Sequence, residues 1–314
     1  MEYLPMSLSL KTRHLQVFLA VAKTGSMQRA SREAHLSQPA ISKLIGELED
    51  TLGAPLFERS RRGVIPTECG QALIGRAQLV LNDLENARDE IASIARGVAG
   101  RVRVGVLPVA EARLLSTTLL ALRKTAPGLA VQIEDGTRDV MLSALRRGEI
   151  DCVIGRLDAG TGERDLHIEK LIQLPIAIVA SPSHPLTRKR RPSWPDLLAY
   201  PWILPPRGAP IRAAIEREFT DLGLAPPVPA IESTSFRLVQ AVVSETDMIG
   251  VITYEASLGY TRSGELAVLP IKLSGRLPHI GVITRMPVVS KALGTFLDTL
   301  RRECRTALRS PEAS

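Results

Sequence analysis

Residues 26–63 constrain the fold most, because two helical patterns meet there at a short break and then run into a cluster of arginines. Ser26 can cap one helix and Ser37 the next, since a serine side chain accepts a hydrogen bond from an N–H of the first helical turn. Pro39 is tolerated in that turn because the amide it lacks would be unpaired there anyway. An amphipathic helix before them ends at Gly25. The segment therefore predicts three consecutive helices.

The third of these helices has two chemically different faces. The apolar residues of its core-facing side are Ile41, Leu44, Ile45, Leu48 and Leu52, at the spacing of a buried helix face. The opposite face begins with Gln38, Ser42 and Lys43, whose side chains can hydrogen-bond base edges or bind phosphate in a major groove. Helix, turn and helix in this arrangement predict a DNA-recognition unit. An ordinary helical hairpin carries the same pattern and is the alternative.

A small β-hairpin is predicted directly after the third helix. Leu56 and Phe57 are apolar, and a basic turn follows before the apolar pattern resumes. The arginines of this turn are Arg59, Arg61 and Arg62. Arginines on such a wing would bind phosphate and position the recognition helix without specifying sequence. A solvated basic turn is the alternative.

The motifs GS, LSQPAIS, LEDTLG, LFER and PTECG follow one another between Gly25 and Gly70. In this order and spacing the segment resembles the winged helix-turn-helix of LysR-type transcriptional regulators. The chain has Ala30, Ser31 and Ala34 where the family usually shows paired alanines and then a leucine, a difference that bears on local packing alone. The resemblance implies double-stranded promoter DNA as a partner. The predicted DNA-binding residues are Ser26, Ser37, Gln38, Pro39, Ser42, Lys43, Arg59, Arg61 and Arg62.

A long amphipathic helix is predicted from Thr67, which can cap it, to near Gly97. Its apolar residues alternate at steps of four and three, the spacing of a coiled-coil seam. The predicted dimerisation residues are Leu73, Ala77, Val80, Leu84, Ala87, Ile91 and Ile94. A homodimer would bury this stripe and offer two recognition helices to two half-sites. Packing on its own domain is the alternative, and the family resemblance adds a homotetramer made of two dimers.

Strand and helix patterns alternate after Gly97, which predicts an α/β region. The fold class is therefore α/β overall, with an N-terminal all-α winged helix-turn-helix and a long linker helix. The family resemblance implies two lobes folded like a type 2 periplasmic binding protein, joined by crossover strands near residues 171–176 and 269–274. The predicted domains are 1–66 (winged helix-turn-helix), 67–98 (linker and dimerisation helix), 99–308 (effector-binding regulatory domain, lobe I at 99–172 and 275–308, lobe II at 173–274) and 309–314 (tail).

An inducer site is expected between the lobes, because ligands of open α/β sheets bind beyond the carboxyl ends of the strands. The predicted effector-binding residues are Leu107, Pro108, Val109, Thr137, Gly155, Arg156, Pro206, Arg207, Ser233 and Ser235. Arg156 or Arg207 can pair with a carboxylate, and the hydroxyl residues can bind an anion or a hydroxyl group. Each of these residues is alternatively a surface or capping residue. The family often has a hydroxyl residue in the first loop, where this chain has Leu107, Pro108 and Val109.

Three segments, GEIDCVIGRL, PWILPP and IES, resemble regulators of sugar and aromatic-acid catabolism, such as the galactose-binding-protein regulator group. This resemblance implies a small-molecule inducer from such a pathway. Inducer binding would then close the lobes, move the DNA-binding heads, and recruit or release RNA polymerase. A redox-sensing regulator is the alternative within the family, since some relatives form a disulfide in this domain and Cys152 and Cys304 lie here.

Other classes of function find little support in the sequence. The motifs GxSxG, HExxH and GxGxxG and a Walker loop are absent, so an α/β enzyme is a weak alternative. The three cysteines lack ligand spacing, and neither a metal nor a cofactor is expected. We predict a cytoplasmic protein without membrane contact, because no apolar run is long enough to cross a bilayer and no secretory signal is evident.

Overall fold

The computed structural model describes residues 10–60, 63–95, 100–107, 112–157, 165–273, 279–286 and 290–309. The chain forms two compact units. The first comprises the N-terminal residues up to 98 together with residues 143–150, and the second comprises residues 99–142 and those from 151 onward. None of the helices in this described part of the chain is long and apolar enough to span a membrane.

The first unit begins with the predicted run of three helices and a small wing. Its elements are α1 (Thr12–Thr24), α2 (Met27–Glu33), α3 (Gln38–Leu52), β1 (Phe57–Ser60), β2 (Gly63–Pro66) and α4 (Glu68–Ala95). Gly25 ends α1 in the left-handed conformation, with φ 61°, which glycine adopts without steric cost. Ser26 Oγ accepts a hydrogen bond from the N–H three residues later at the start of α2, and Ser37 does the same in α3, each at 3.4 Å. The predicted helix starts are confirmed.

One face of α3 packs into the core of this unit. Ile41, Ile45 and Leu48 are buried there together with Phe18 of α1. Leu52 was also predicted to face the core, but it is 38% exposed because it is the last residue of the helix. The outward face of α3 is thereby fixed as the side that carries Gln38.

The long helix α4 divides into a packed part and an exposed part. Ala77 is buried and Leu73 is half-buried against the core of the first unit. Both residues therefore contact the core of their own domain, and the burial of Ala77 leaves it inaccessible to a dimer seam in this structure. Further along, an exposed stripe continues at heptad steps and consists of Val80, Leu84, Ala87 and Ile91. The side chain of Ile94 lies outside the described residues.

Two five-stranded sheets build the second unit as two lobes. The strands are β3 (Arg101–Val106), β4 (Ala130–Asp135), β5 (Cys152–Arg156), β6 (His167–Ile172), β7 (Ile176–Ala180), β8 (Trp202–Leu204), β9 (Ile231–Glu232), β10 (Ile249–Thr253), β11 (Ala267–Val268) and β12 (Ile280–Thr284). The helices of this part of the chain are α5 (Ala112–Thr125), α6 (Arg138–Arg146), α7 (Pro185–Arg188), α8 (Trp194–Leu197), α9 (Pro210–Asp221), α10 (Phe236–Ser244), α11 (Tyr254–Arg262) and α12 (Lys291–Arg309). The sheet orders are β4-β3-β5-β12-β6 and β11-β7-β10-β8-β9, which is the predicted two-lobed α/β architecture.

Parallel strands place candidate ligand loops at one edge of each sheet. β3, β4 and β5 are parallel, and so are β8, β9 and β10, so three carboxyl ends share an edge in each lobe. The N–H of Tyr254, just after β10, donates to the carbonyl of Pro175 at 2.9 Å. That edge of the second sheet therefore lies against the segment that links β6 to β7.

Several elements were not predicted. β6 reads HIEKLI, and its polar residues hide the strand because it lies at the edge of its sheet. The helices α7 and α8 have only four residues each, too few for a helical period. Within the predicted crossover strands, residues 173–175 and 269–273 are irregular, whereas residues 171–172 belong to β6, residue 176 belongs to β7 and residue 274 lies outside the described residues. Pro175 and Pro270 explain this, since proline cannot donate a hydrogen bond to a strand ladder.

Candidate nucleic-acid interface and effector site

The polar face of α3 is exposed at its N-terminal end. Gln38, Pro39, Ser42 and Lys43 all lie exposed on the first two turns, and the capping residue Ser37 is exposed beside them. Donors and acceptors at the start of a helix are the groups that reach base edges when the helix enters a major groove. The structure thus brings these five predicted residues onto one accessible surface.

A concave surface of about 660 Å³ lies between the start of α2, the outer face of α3 and the wing. Ser26, Gln38 and Ser42 line it, and Gly63 and Val64 line it on the wing side. Predicted residues from two helices therefore meet beside the wing. Arg61, Arg62 and the side chain of Arg59 lie outside the described residues.

Lys43 belongs to a short chain of polar contacts that the sequence did not reveal. Its Nζ lies 3.8 Å from Glu47 Oε1, one turn further along α3. Glu47 Oε2 in turn lies 3.1 Å from Nε2 of the buried His14 on α1. The other ring nitrogen of His14 accepts a hydrogen bond from the N–H of Lys11, so Nε2 carries the proton and donates to Glu47. Lys43 is 78% exposed, so its pairing is weak and the ammonium can exchange Glu47 for a phosphate.

The second strand of the wing, close to the hairpin turn, is attached to the turn between α1 and α2. The N–H of Val64 donates to the carbonyl of Gly25 at 3.0 Å. Gly63 has φ 114°, and a Cβ there would collide with the carbonyl oxygen of Gly25. A glycine at position 63 is therefore required for the close approach that holds the wing beside α2 and α3.

In the first lobe, the predicted effector residues are mostly packed. Leu107 is buried above Gly155, where an added Cβ would lie 2.5 Å from the leucine Cβ. Arg156 is only 3% exposed, and its Nη2 donates to the carbonyl of Leu174 at 3.1 Å, in the segment between β6 and β7. Arg156 therefore supports the link between the lobes, a different placement from that of an open carboxylate receptor. Thr137 is exposed before α6, whereas Pro108 and Val109 lie outside the described residues.

In the second lobe, Pro206 and Arg207 are exposed in the loop after β8. Ser233 Oγ accepts a hydrogen bond from the N–H of Ser235 at 3.1 Å. Ser235 Oγ caps α10 by accepting from the N–H of Leu238 at 3.3 Å. A hydroxyl that accepts one N–H can still donate its own proton, so both serines combine local capping with the capacity to bind a ligand.

Arg212 organises this edge of the second lobe, although the sequence singled out Arg207. Its side chain is 3% exposed, and its Nε donates to Glu216 Oε1 at 2.5 Å. Its Nη1 donates to the carbonyl of Pro205 at 3.2 Å and to Glu232 Oε1 at 3.4 Å. Arg212 thus ties the loop after β8 to the end of β9. The one sequence signal was the Arg-Glu spacing of four residues within a helix, which occurs on many surfaces.

The cysteines of the second unit are buried. Burial raises the pKa of the Cys152 thiol far above its usual range, and it raises the pKa of Cys304 to about 11. Both residues belong to the apolar core of the first lobe, whereas Cys69 on α4 is exposed. A thiol reacts with oxidants as its thiolate, so the two buried cysteines are placed for packing and not for fast oxidation.

Comparison with protein families decides the class of this protein. A family model described as the LysR substrate binding domain matches residues 95–305. A second, described as bacterial regulatory helix-turn-helix protein of the lysR family, matches residues 12–71. The chain belongs to the LysR family. As a LysR-family member it is a DNA-binding transcriptional regulator, and the resemblance that the motifs carried is confirmed.

Curated relatives with related sequences are themselves named as regulators. The LysR-family chain is 31% identical to the HTH-type transcriptional regulator GbpR of Azospirillum brasilense, and the match covers 97% of this chain and 91% of the relative. It is 31% identical to the regulator PcaQ of Agrobacterium fabrum, with 88% and 89% covered. It is 30% identical to the regulator GalR of Pseudomonas putida, with 88% and 69% covered.

Solved structures of LysR-family proteins share the fold. The crystal structure of CbnR, a LysR family transcriptional regulator, has a TM-score of 0.64 at 23% identity and covers 94% of this chain and 99% of the other. Full-length CbnR in complex with its target DNA has a TM-score of 0.66, also at 23% identity, and covers 94% and 100%. The LysR fold therefore extends over nearly the whole chain.

Proposed function

We propose that this LysR-family regulator binds promoter DNA as a homodimer or homotetramer and changes transcription when a small-molecule inducer binds. The observation that carries the proposal is the exposed polar start of α3, with Gln38, Ser42 and Lys43 beside the wing. Side chains of these types can read base edges, and the wing arginines Arg59, Arg61 and Arg62 would add phosphate contacts. The capping serines and Pro39 would lie at the same DNA surface.

The homodimer is supported by the exposed stripe on α4. Val80 is 46% exposed, Leu84 is 49% exposed and Ile91 is 68% exposed. Large apolar side chains in a continuous heptad stripe are unfavourable in water and are most simply buried against the same stripe of a second copy. Two copies place two recognition helices on one DNA, which favours an operator with dyad symmetry.

The inducer site is proposed at the carboxyl ends of the strands in the two lobes. Its accessible residues are Thr137, Pro206, Arg207, Ser233 and Ser235. Arg207 would bind an anionic group, and the hydroxyl residues would bind hydroxyls or carboxylate oxygens. The resemblance of three segments to sugar and aromatic-acid regulators supports an inducer from such catabolism. Inducer binding would then act by shifting the population of lobe arrangements.

A regulator of this kind acts on RNA polymerase at the promoter and works in the compartment that holds the DNA, which we take to be the cytoplasm. We propose no catalytic role, in line with relatives that are named as regulators. The redox alternative is disfavoured by the burial of Cys152 and Cys304. Treatment with peroxide, followed by a thiol count and a DNA-binding assay, tests it. A loss of the Cys152 and Cys304 thiols, together with altered DNA binding, would restore that alternative.

The inducer proposal is tested by screening the full chain against neutral sugars, sugar acids and aromatic acids. Thermal shift reports binding, because a ligand of the native state raises its melting temperature. Operator binding with and without each compound reports regulation. We expect one of these classes to change both readouts, and Arg207→Ala to weaken the response. The matched control Arg188→Ala alters an exposed arginine on α7 and should leave the response unchanged. No effect from any compound would contradict the proposed inducer class.

A further inference from the structure

Glu49 connects the recognition helix to the wing. It lies near the end of α3, and a single carboxylate oxygen, Oε1, accepts two main-chain hydrogen bonds. The N–H of Leu56 donates at 2.6 Å and the N–H of Phe57 at 3.2 Å. These two residues lie where the chain leaves α3 and enters β1. Glu49 therefore sets the direction in which the first strand of the wing leaves the recognition helix.

The backbone at Leu56 and Phe57 is also held from the side of α4. The carbonyl of Leu56 belongs to the same peptide unit as the N–H of Phe57. This carbonyl accepts a hydrogen bond from the N–H of Thr67 at 2.9 Å. Thr67 Oγ1 donates to the carbonyl of Pro55 at 2.7 Å and accepts from the N–H of Gly70 at 3.1 Å. A Cβ at Gly70 would collide with the carbonyl oxygen of Leu56, so α4 begins in direct contact with this peptide. The start of the wing is thereby fixed between two helices, and Leu56 is 2% exposed.

We propose that Glu49 is a positioning residue for DNA binding, which fixes the first strand of the wing against the end of α3 so that wing and helix can contact one duplex. The inference rests on the proposed contact between the wing and phosphate. Charge-assisted hydrogen bonds to main-chain N–H groups are stronger than neutral ones, which suits a carboxylate to this task. Glu49 also lines the concave surface that carries Gln38 and Ser42. Its negative charge disfavours phosphate there, so a contact with the DNA backbone does not account for its presence.

Two substitutions separate the hydrogen bonds from the charge. Glu49→Gln removes the charge but keeps an amide oxygen that can accept both N–H groups, because both bonds reach one oxygen. Glu49→Ala removes the charge and the acceptor together. Any difference between the two variants therefore reports the attachment of the wing.

The experiment measures the affinity of the full chain for a duplex selected by the protein from a randomised pool, over a range of salt concentrations. Each phosphate contact contributes a slope of about 0.9 in log affinity against log salt. We expect the slope of log affinity against log salt to be shallower for Glu49→Ala than for Glu49→Gln, by about 0.9 or more. Both variants should keep the base preferences of the original chain, because Gln38, Ser42 and Lys43 at the start of α3 are unchanged. Adding Arg61→Ala to Glu49→Ala should flatten the slope less than Arg61→Ala does alone.

Equal slopes for Glu49→Ala and Glu49→Gln would overturn the positioning role. A variant that merely loses folded protein has a lower active fraction and an unchanged slope, so this outcome also counts against the inference. Arg61→Ala in the original chain tests the contact between the wing and phosphate separately from the positioning role of Glu49. If Arg61→Ala leaves the slope unchanged, the proposed wing contact is itself wrong. If it flattens the slope while the two Glu49 variants agree, the positioning role alone is wrong.

Discussion

His184 is a buried histidine whose ring is held by hydrogen bonds at both nitrogens. Nδ1 accepts from the N–H of Leu186 at 3.1 Å, and Nε2 donates to the carbonyl of Asp247 at 3.2 Å. Tyr200 packs on the ring with centroids 4.3 Å apart. Burial lowers the pKa of His184 below its usual value of 6.5, because the charged imidazolium is poorly solvated there. The neutral ring is thus the form that caps α7.

This lowered pKa predicts a pH dependence of stability. The unfolded chain binds the proton first as the pH falls, so the contribution of His184 is complete above about pH 6.5 and declines below it. We expect the urea midpoint to fall between pH 8 and pH 5.5. His184→Asn can still cap the helix but does not titrate, so its midpoint should fall less over the same range. Identical pH profiles for the two proteins would contradict the assignment.

Single residues also show where sequence patterns stop being informative. Ser26, Ser37 and Gly25 were predicted because capping depends on a few neighbouring residues. The contacts of Glu49, His14 and Arg212 were not, since each of these side chains has a partner outside its own helix. Arg156 was predicted as an inducer ligand, and its hydrogen bond to the carbonyl of Leu174 was not foreseen for a related reason. A strand end in the sequence does not show whether its last side chain points into a cleft or into the link between the lobes.

At the scale of elements, α3 should read sequence and the wing should not. Replacing Gln38 or Ser42 with alanine removes hydrogen bonds to base edges, and we expect a loss of about 1–3 kcal/mol in discrimination between operator and random DNA. Arg61→Ala should weaken both complexes alike and flatten the salt dependence. Competition binding with both duplexes measures these effects. Equal losses on operator and random DNA for the α3 variants would refute this division of roles.

The exposed stripe of α4 makes a second prediction at this scale. Burying one leucine contributes about 2 kcal/mol, so Leu84→Glu should weaken the dimer by at least about a hundredfold through loss from both copies. Glu85→Ala, an exposed change beside the stripe, serves as the matched control. Sedimentation over a range of protein concentrations measures the dissociation constant. An unchanged dimer in Leu84→Glu would show that copies associate elsewhere.

Elements with strong periods were predictable from the sequence, and weak ones were not. The core face of α3 and the strand β10 follow clear apolar patterns. β6 lies at a sheet edge, and its sequence HIEKLI lacks a regular apolar alternation, so its pattern does not stand out from a loop. The heptad pattern of α4 was predicted, but the pattern alone did not show that the first turns of α4 pack on the core of the first unit. Ala77 is buried there because a small residue lets α4 approach the core.

At the scale of the whole molecule, the sequence predicted the architecture better than the ligand. Alternating strand and helix patterns predicted the α/β lobes, and the motifs between Gly25 and Gly70 predicted a winged helix-turn-helix of the LysR type. The inducer depends on a few side chains brought together from distant loops, which no local pattern encodes. Arg212, Glu216 and Glu232 illustrate this, because the guanidinium joins residues from a helix and a strand end.

Footprinting tests the central claim most directly. The full chain is bound to its own upstream intergenic DNA and to a scrambled duplex of equal length, over a range of salt concentrations. We predict protection of an interrupted dyad, with an affinity for the intergenic DNA that exceeds the scrambled duplex by a factor of about a thousand or more at physiological salt. Equal affinity for both duplexes, with no protected dyad in the presence or absence of inducer, would contradict a sequence-reading dimeric regulator.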